Sequence, residues 1–219
     1  MSLGSWLFYF FNQTEIILYD YKEPKGITVR MLNFEETIVG CLHNHNKSKE
    51  MIYKSFYGYL MAVVLRYVND RDDAEELVND AFIKIFNAVN QFNFPKNKEE
   101  HQKAFKAWIS KITSRTAIDF LRTKRNLISI EEIVEEQEPL TEINIIAALN
   151  VKDILKLLDA LPEIQKLIFN LYEIEGFSHD EIAKSLNIQE SSSRVYLTRA
   201  KNKLRMLYSK TLVNNYATY

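Results

Sequence analysis

From residue 31 onward, apolar side chains return at steps of three and four, the spacing that lines one face of an α-helix. Phe56, Leu60, Val64 and Val68 predict a helix over 52–68. Ala74, Leu77, Val78, Ala81, Phe82 and Ile85 predict a second over 73–89, with Glu75, Glu76, Asn79 and Asp80 on the opposite face. Phe105, Trp108, Ile109, Ile112, Ile118 and Leu121 predict a third over 104–122. Residues 33–42 can form a short helix ahead of these, and 92–101, with Pro95, reads as a loop. Helical spacing resumes over 141–161 with Ile143, Ile146, Ile154, Leu157 and Leu158. It restarts at Pro162 through Ile164, Leu167, Ile168 and Leu171, and Gly176 closes that helix. Residues 1–30 show no such period and mix aromatic and β-branched residues with Pro24 and Gly26. The expectation is that they form a loosely attached extension, or that Met31 is the natural start.

The stretch 176–207 carries the sharpest local code. Ser178 and Glu181 have capping-box spacing, and Phe177 and Ile182 have the spacing of a hydrophobic staple. A short helix follows, with Ile182, Ala183 and Leu186 on one face. Asn187 suits a left-handed bend. A second helix runs on with Leu197, Ala200, Leu204 and Leu207 as its apolar line. It carries Arg194, Arg199, Lys201, Lys203 and Arg205 against one acid, Glu190. Two helices, a tight bend and a cationic second helix make a helix-turn-helix, whose second helix enters the major groove of DNA. A plain helical hairpin with a solvated basic face has the same pattern. The tail after Leu212 reads as frayed.

Charge changes the picture locally rather than globally. The formal net charge is only -1 over 219 residues. Yet Lys103, Lys106, Lys111, Arg115, Arg122, Lys124 and Arg125 face only Asp119, whereas 126–150 hold Glu131, Glu132, Glu135, Glu136, Glu138 and Glu142 with no Lys or Arg. Two basic patches flank an acidic stretch. The reading is therefore all-α: two small helical domains joined by a flexible acidic linker, the C-terminal one a helix-turn-helix. The expected parts are 1–30, 31–125, 126–140 and 141–212.

The candidate chemistry is thin. Cys41 is the single cysteine, so no internal disulfide is possible. Five glycines form neither a phosphate-binding loop nor a dinucleotide fingerprint. His43 and His45 lack further ligands nearby, and Asp70, Asp72 and Asp73 lack the glycine a calcium loop needs. Residues 6–11 are aromatic but have no basic flank or cleavage site, and no run reaches membrane-spanning length. No metal, cofactor or enzymatic activity is expected. Trp108 among cations could stack on a single-stranded base or serve as core, and the core role is favoured.

Three ordered blocks make the chain resemble an extracytoplasmic-function (ECF) sigma factor of the sigma-70 superfamily, in the style of Bacteroidetes-type bacteria. Asp73-Ala74-Glu75-Glu76-Leu77-Val78-Asn79-Asp80-Ala81-Phe82 is similar to one family block. Trp108-Ile109, Ile112, Thr116-Ala117-Ile118-Asp119 and Arg122 are similar to a second. Leu161-Pro162, the 174–176 Ile-Glu-Gly, Ser178, Glu181-Ile182-Ala183, Ser191-Ser192-Ser193-Arg194 and Arg199-Ala200 are similar to the third. The resemblance implies a non-enzymatic, cytoplasmic subunit that directs transcription initiation. Its partners would be core RNA polymerase (the β′ clamp coiled coil and the β flap), promoter DNA and an anti-sigma factor.

It further implies that Asp73, Glu76, Asn79 and Asp80 bind the polymerase. Lys111, Arg115, Arg122, Lys124 and Arg125 would serve the minus-ten element, which the helix 105–125, with the loop before it, would open in the 31–125 domain. In 141–212, Glu190, Ser191, Arg194, Val195 and Thr198 would face bases of the minus-thirty-five element, while Arg199, Lys201 and Lys203 hold phosphates. Arg115 stands where the family usually has Asn, Asn187 where it has Gly, and Gln189 where it has Ser or Pro. A stand-alone helix-turn-helix regulator is the alternative, and it would leave the first two blocks without a role.

Overall fold

The computed structural model describes residues 34–124 and 157–216, with side chains for 34–123 and 157–208. The expected extension 1–30, the acidic stretch 126–140 and most of the helix expected over 141–161 lie outside the described residues. All described elements are helical, and they fall into two compact units, one within Glu15–Arg125 and the other within Asn126–Tyr219.

Among the described residues the N-terminal unit has four α-helices: α1 (Phe34–Leu42), α2 (Asn46–Val64), α3 (Arg71–Ala88) and α4 (His101–Lys124). α3 packs on α2 and α4, and α1 packs on α2. α2 begins at Asn46 rather than near Ile52, because its first turn is polar and carries no apolar period. It ends at Val64, and Arg66, Tyr67 and Val68 continue only as a hydrogen-bonded turn. The left-handed corner between α1 and α2 is at Asn44, φ 62. The two helices approach closely at Gly40, where an added Cβ would lie 2.1 Å from Ser48 Oγ, so only hydrogen fits.

Asp70 opens α3, accepting a hydrogen bond from the Asp73 backbone N–H at 2.9 Å. Every residue expected on the α3 core face is buried: Ala74, Leu77, Val78, Ala81, Phe82 and Ile85. The centre of the unit is aromatic. The Phe105 ring, fully buried, meets Phe34 at 5.4 Å, Phe56 at 5.3 Å and Phe92 at 5.2 Å between centroids. Trp108 packs on Phe92 and Phe105 and is half-buried, so it belongs to this cluster. Cys41 is core as well: burial pushes its thiol up to about 11 against a smaller opposing pull from Lys49, which suits a packing role.

In the C-terminal unit residues 157–159 are helical and α5 spans Glu163–Phe169. The regular helix expected through Glu173 instead widens to a π-turn over Asn170–Ile174. Gly176, at φ +69, then turns the chain. α6 (His179–Leu186) starts with the full capping box: Ser178 Oγ accepts from the Glu181 N–H at 3.1 Å, and the Ser178 N–H donates to Glu181 Oε2 at 2.9 Å. Asn187 adopts the left-handed bend, φ 54 and ψ 46. α7 (Glu190–Tyr216) runs past Leu212, where fraying was expected. Ile168, Phe169, Leu171, Phe177, Ile182, Leu186, Leu197, Ala200 and Leu204 are buried and form the core of this unit.

Candidate functional sites: a polar helix face and a helix-turn-helix

On α3 the apolar stripe goes inward, and the polar side is left to solvent. Glu76, Asn79 and Asp80 are exposed and Asp73 is half-buried. Spacing of three and four puts them on adjoining turns of one face. Tyr53 Oη donates to Asn79 Oδ1 at 3.0 Å, so that amide is held from α2. Glu75 pairs with Arg71 at 3.1 Å across one turn. The next position along the same face is Ile83, whose relative exposure of 59% is the highest among the exposed large apolar side chains of the described residues. Sequence reading left Ile83 out: it fits no core stripe, and that misfit was the available signal.

On α4, Arg115 and Arg122 are exposed and Lys111 is half-buried; Arg122 lies 3.9 Å from Asp119. The side chain of Lys124 and the whole of Arg125 are outside the described residues. The loop leading into α4 is pinned by His101, which starts the helix three residues before its expected position. This ring is buried, with Nδ1 3.0 Å from Glu35 Oε1 on α1 and Nε2 donating to the Pro95 carbonyl at 2.8 Å. The Phe94 ring packs on it at 4.9 Å. Because the period counts only apolar residues, it cannot see a buried histidine, and so it misplaced the start of α4.

In the helix-turn-helix, the capping box fixes where α6 starts and Asn187 fixes the angle at which α7 leaves it. Glu190, Ser191, Arg194, Val195 and Thr198 are all exposed, and their spacing places them on one face of α7. Arg194 Nη2 is paired with Glu190 across one turn. An exposed pair of this kind contributes about 0–1 kcal/mol, so a base edge or phosphate can displace it at small cost. Thr198 Oγ1 donates to the Arg194 carbonyl at 2.9 Å.

Lys203 is exposed and Arg199 half-buried. Lys201 faces inward rather than out: its Nζ is 2.5 Å from Glu173 Oε1 and lies over the Tyr172 ring at 5.9 Å. Tyr172 in turn stacks on the ring of His179 at 4.4 Å, and His179 Nδ1 lies 2.9 Å from Ser193 Oγ. Burial holds His179 below the ordinary histidine value, Arg194 and Lys201 add to this, and Glu190 and Glu173 oppose it. A His and a Ser fourteen positions apart leave no sequence signal.

Comparison with known proteins places both units. The family model described as sigma-70 region 2 matches residues 52–127, and that described as sigma-70, region 4 matches 152–204. The RNA polymerase sigma factor SigZ of Bacillus subtilis (strain 168) is 28% identical over 160 residues, covering 72% of this chain and 85% of that protein. The ECF RNA polymerase sigma factor SigX of the same organism is 24% identical over 164 residues, covering 71% and 81%. A probable RNA polymerase sigma factor of Haemophilus influenzae is 29% identical over 165 residues, covering 66% and 81%. With region 2 on the unit that bears the polar α3 face and region 4 on the helix-turn-helix, in that order and together over more than half of its length, the chain belongs to the sigma-70 family.

Proposed function

We propose that this chain is an ECF-type sigma factor, which binds core RNA polymerase and directs sequence-specific initiation at a subset of promoters. One observation carries the reading: two compact units match regions 2 and 4 in order, and each leaves a different polar surface open. The α3 face of Asp73, Glu76, Asn79 and Asp80 docks on the β′ clamp coiled coil. Ile83 extends that face with an apolar side chain that a partner helix can cover. Lys111, Arg115, Arg122, Lys124 and Arg125 hold the opened minus-ten strand, and the loop clamped by His101 lies at the start of the same helix.

The α7 face reads the minus-thirty-five element. Arg194 can donate to the N7 and O6 acceptors of a guanine edge, and Glu190 can accept from the N4 amine of cytosine. Lys203 and Arg199 hold phosphate, and the unit engages the β flap. Lys201 contributes mainly to the fold, through Glu173. An anti-sigma factor covers these surfaces when the chain is idle. The chain acts in the cytoplasm of a Bacteroidetes-type bacterium, with no cofactor and no catalytic step of its own.

The division into two weak contacts has a physical use. Each unit neutralises few phosphates, so alone it binds weakly and loses affinity steeply with salt. Held by one polymerase, the second contact becomes intramolecular, at effective concentrations of order mM. Run-off transcription with purified core polymerase over a promoter library tests the reading. The expected result is discrete start sites that depend on added chain. Core polymerase that gains no start sites in its presence overturns it.

A further inference from the structure

Beside the hydrophobic core that they share, a polar cluster behind the recognition helix ties three elements together. Tyr172 and Glu173 come from the π-turn, His179 from the first turn of α6, and Ser193 and Lys201 from α7. His179 is 9% exposed, and its ring lies against Tyr172, 24° from parallel. Its Nδ1 reaches Ser193, whose side chain is fully buried. Ser193 is the residue immediately before Arg194, and α7 has already turned Arg194 outward to the face expected to meet bases.

We propose that His179 is a positioning residue for the recognition helix: wedged between Tyr172 and Ser193, it sets which face α7 presents, and promoter choice declines when the ring takes up a proton. The inference rests on the promoter-reading function above. In the neutral tautomer that carries its proton on Nε2, Nδ1 accepts the Ser193 hydroxyl proton. A second ring proton reverses that bond, so the hydroxyl must accept. It also sets a third cation beside Arg194 and Lys201. The charged groups around the ring are Glu173 on the π-turn, Glu190, Arg194 and Lys201 on α7, and Asp180 and Glu181 on α6 itself. Asp180 is engaged by Lys184 at 2.7 Å and Glu181 by the cap, while Glu173 and Glu190 are already paired with Lys201 and Arg194. The carboxylates nearest the ring are thus committed, and burial keeps the neutral ring favoured.

The test uses the full chain with core polymerase and a promoter duplex recovered from the library. The readout is the affinity for that duplex divided by the affinity for a scrambled one, from pH 7.5 to about pH 5.5. In the unaltered protein this ratio is expected to fall about tenfold, the order of one lost base contact. In His179→Asn, whose amide can occupy the Nδ1 position without titrating, the ratio is expected to stay flat. Ser193→Ala is expected to lower the ratio at pH 7.5 while core-polymerase binding is unchanged. NMR titration of the His179 ring in the unaltered chain gives a check independent of any variant, since its midpoint should coincide with the loss of preference.

A purely packing role would weaken both duplexes alike, and that result overturns the proposal. So does a His179→Asn ratio that falls as in the unaltered chain. A chain with no preference at pH 7.5 overturns both this inference and the promoter reading; a preference that persists unchanged to pH 5.5 overturns this inference alone.

Discussion

Each unit presents a polar helix face, α3 in one and α7 in the other, but they support it differently. Behind α3 lies a core in which Phe56, Phe82 and Phe105 are buried together with the aliphatic stripe, and the face turned outward combines acids and an amide with Ile83. Behind α7 the described core is mostly aliphatic, and part of the support is polar: Lys201 to Glu173, His179 to Ser193 and Tyr172. In the proposed function α3 meets a protein, and it rests on buried rings that carry no net charge. In the same reading α7 meets DNA and carries cations, one of which pairs with Glu173 within the unit. The comparison teaches that the N-terminal unit should be sensitive to lost volume and the C-terminal unit to changed polarity.

Variants can break or sharpen that contrast. The largest effect is expected from Phe105→Ala, which removes the ring shared by Phe34, Phe56 and Phe92. It should cost about 3–5 kcal/mol, read by denaturant unfolding of the N-terminal unit, with the unfolding of the C-terminal unit unmoved. Gly40→Ala forces a methyl into the α1–α2 crossing and should cost about 1–3 kcal/mol by the same measurement. In binding, Arg194→Ala should cost about 1–3 kcal/mol and relax choice at one base of the upstream element, leaving core-polymerase affinity intact. Asp80→Lys should do the reverse, weakening core-polymerase binding in a pull-down while duplex choice survives. Ser178→Ala removes half of the capping box and should cost about 1 kcal/mol, seen in the C-terminal unit alone.

The smallest effect is on pH. Since the folded C-terminal unit binds the His179 proton less readily than the unfolded chain, its contribution is complete above the ordinary value of 6.5 and fades as pH falls below it. Thermal melts of the His179→Asn protein between pH 7 and pH 5 should therefore lose less than those of the unaltered chain.

What could be read before folding follows the same division. The α3 stripe was legible because six apolar residues repeat at helical spacing and all six are buried. The α6–α7 corner was legible because capping and left-handed bends are local chemistry: Ser178 with Glu181, and Asn187, each state their geometry within a few residues. The starts of α2 and α4 were not, since Asn46–Glu50 are polar and His101 is a buried side chain that no apolar period counts. The clamp from His101 to Glu35 and the latch from His179 to Ser193 join positions far apart in the chain, and nothing local announces them. Ile83 was overlooked for the opposite reason: an apolar residue facing solvent looks like noise until the surface around it is drawn.

The π-turn at Asn170–Ile174 makes chain length, as well as composition, a determinant of the region 4 surface. A single-turn bulge of this kind takes up one more residue than a regular α-helix would, and each residue corresponds to about 100° of rotation about the axis. Excising one position there would swing Tyr172 and Glu173 away from α7 together, releasing the aromatic stack and the lysine in one step while the Ser178 box stayed whole. A deletion that alters no side chain at the DNA surface would thereby retune it from behind.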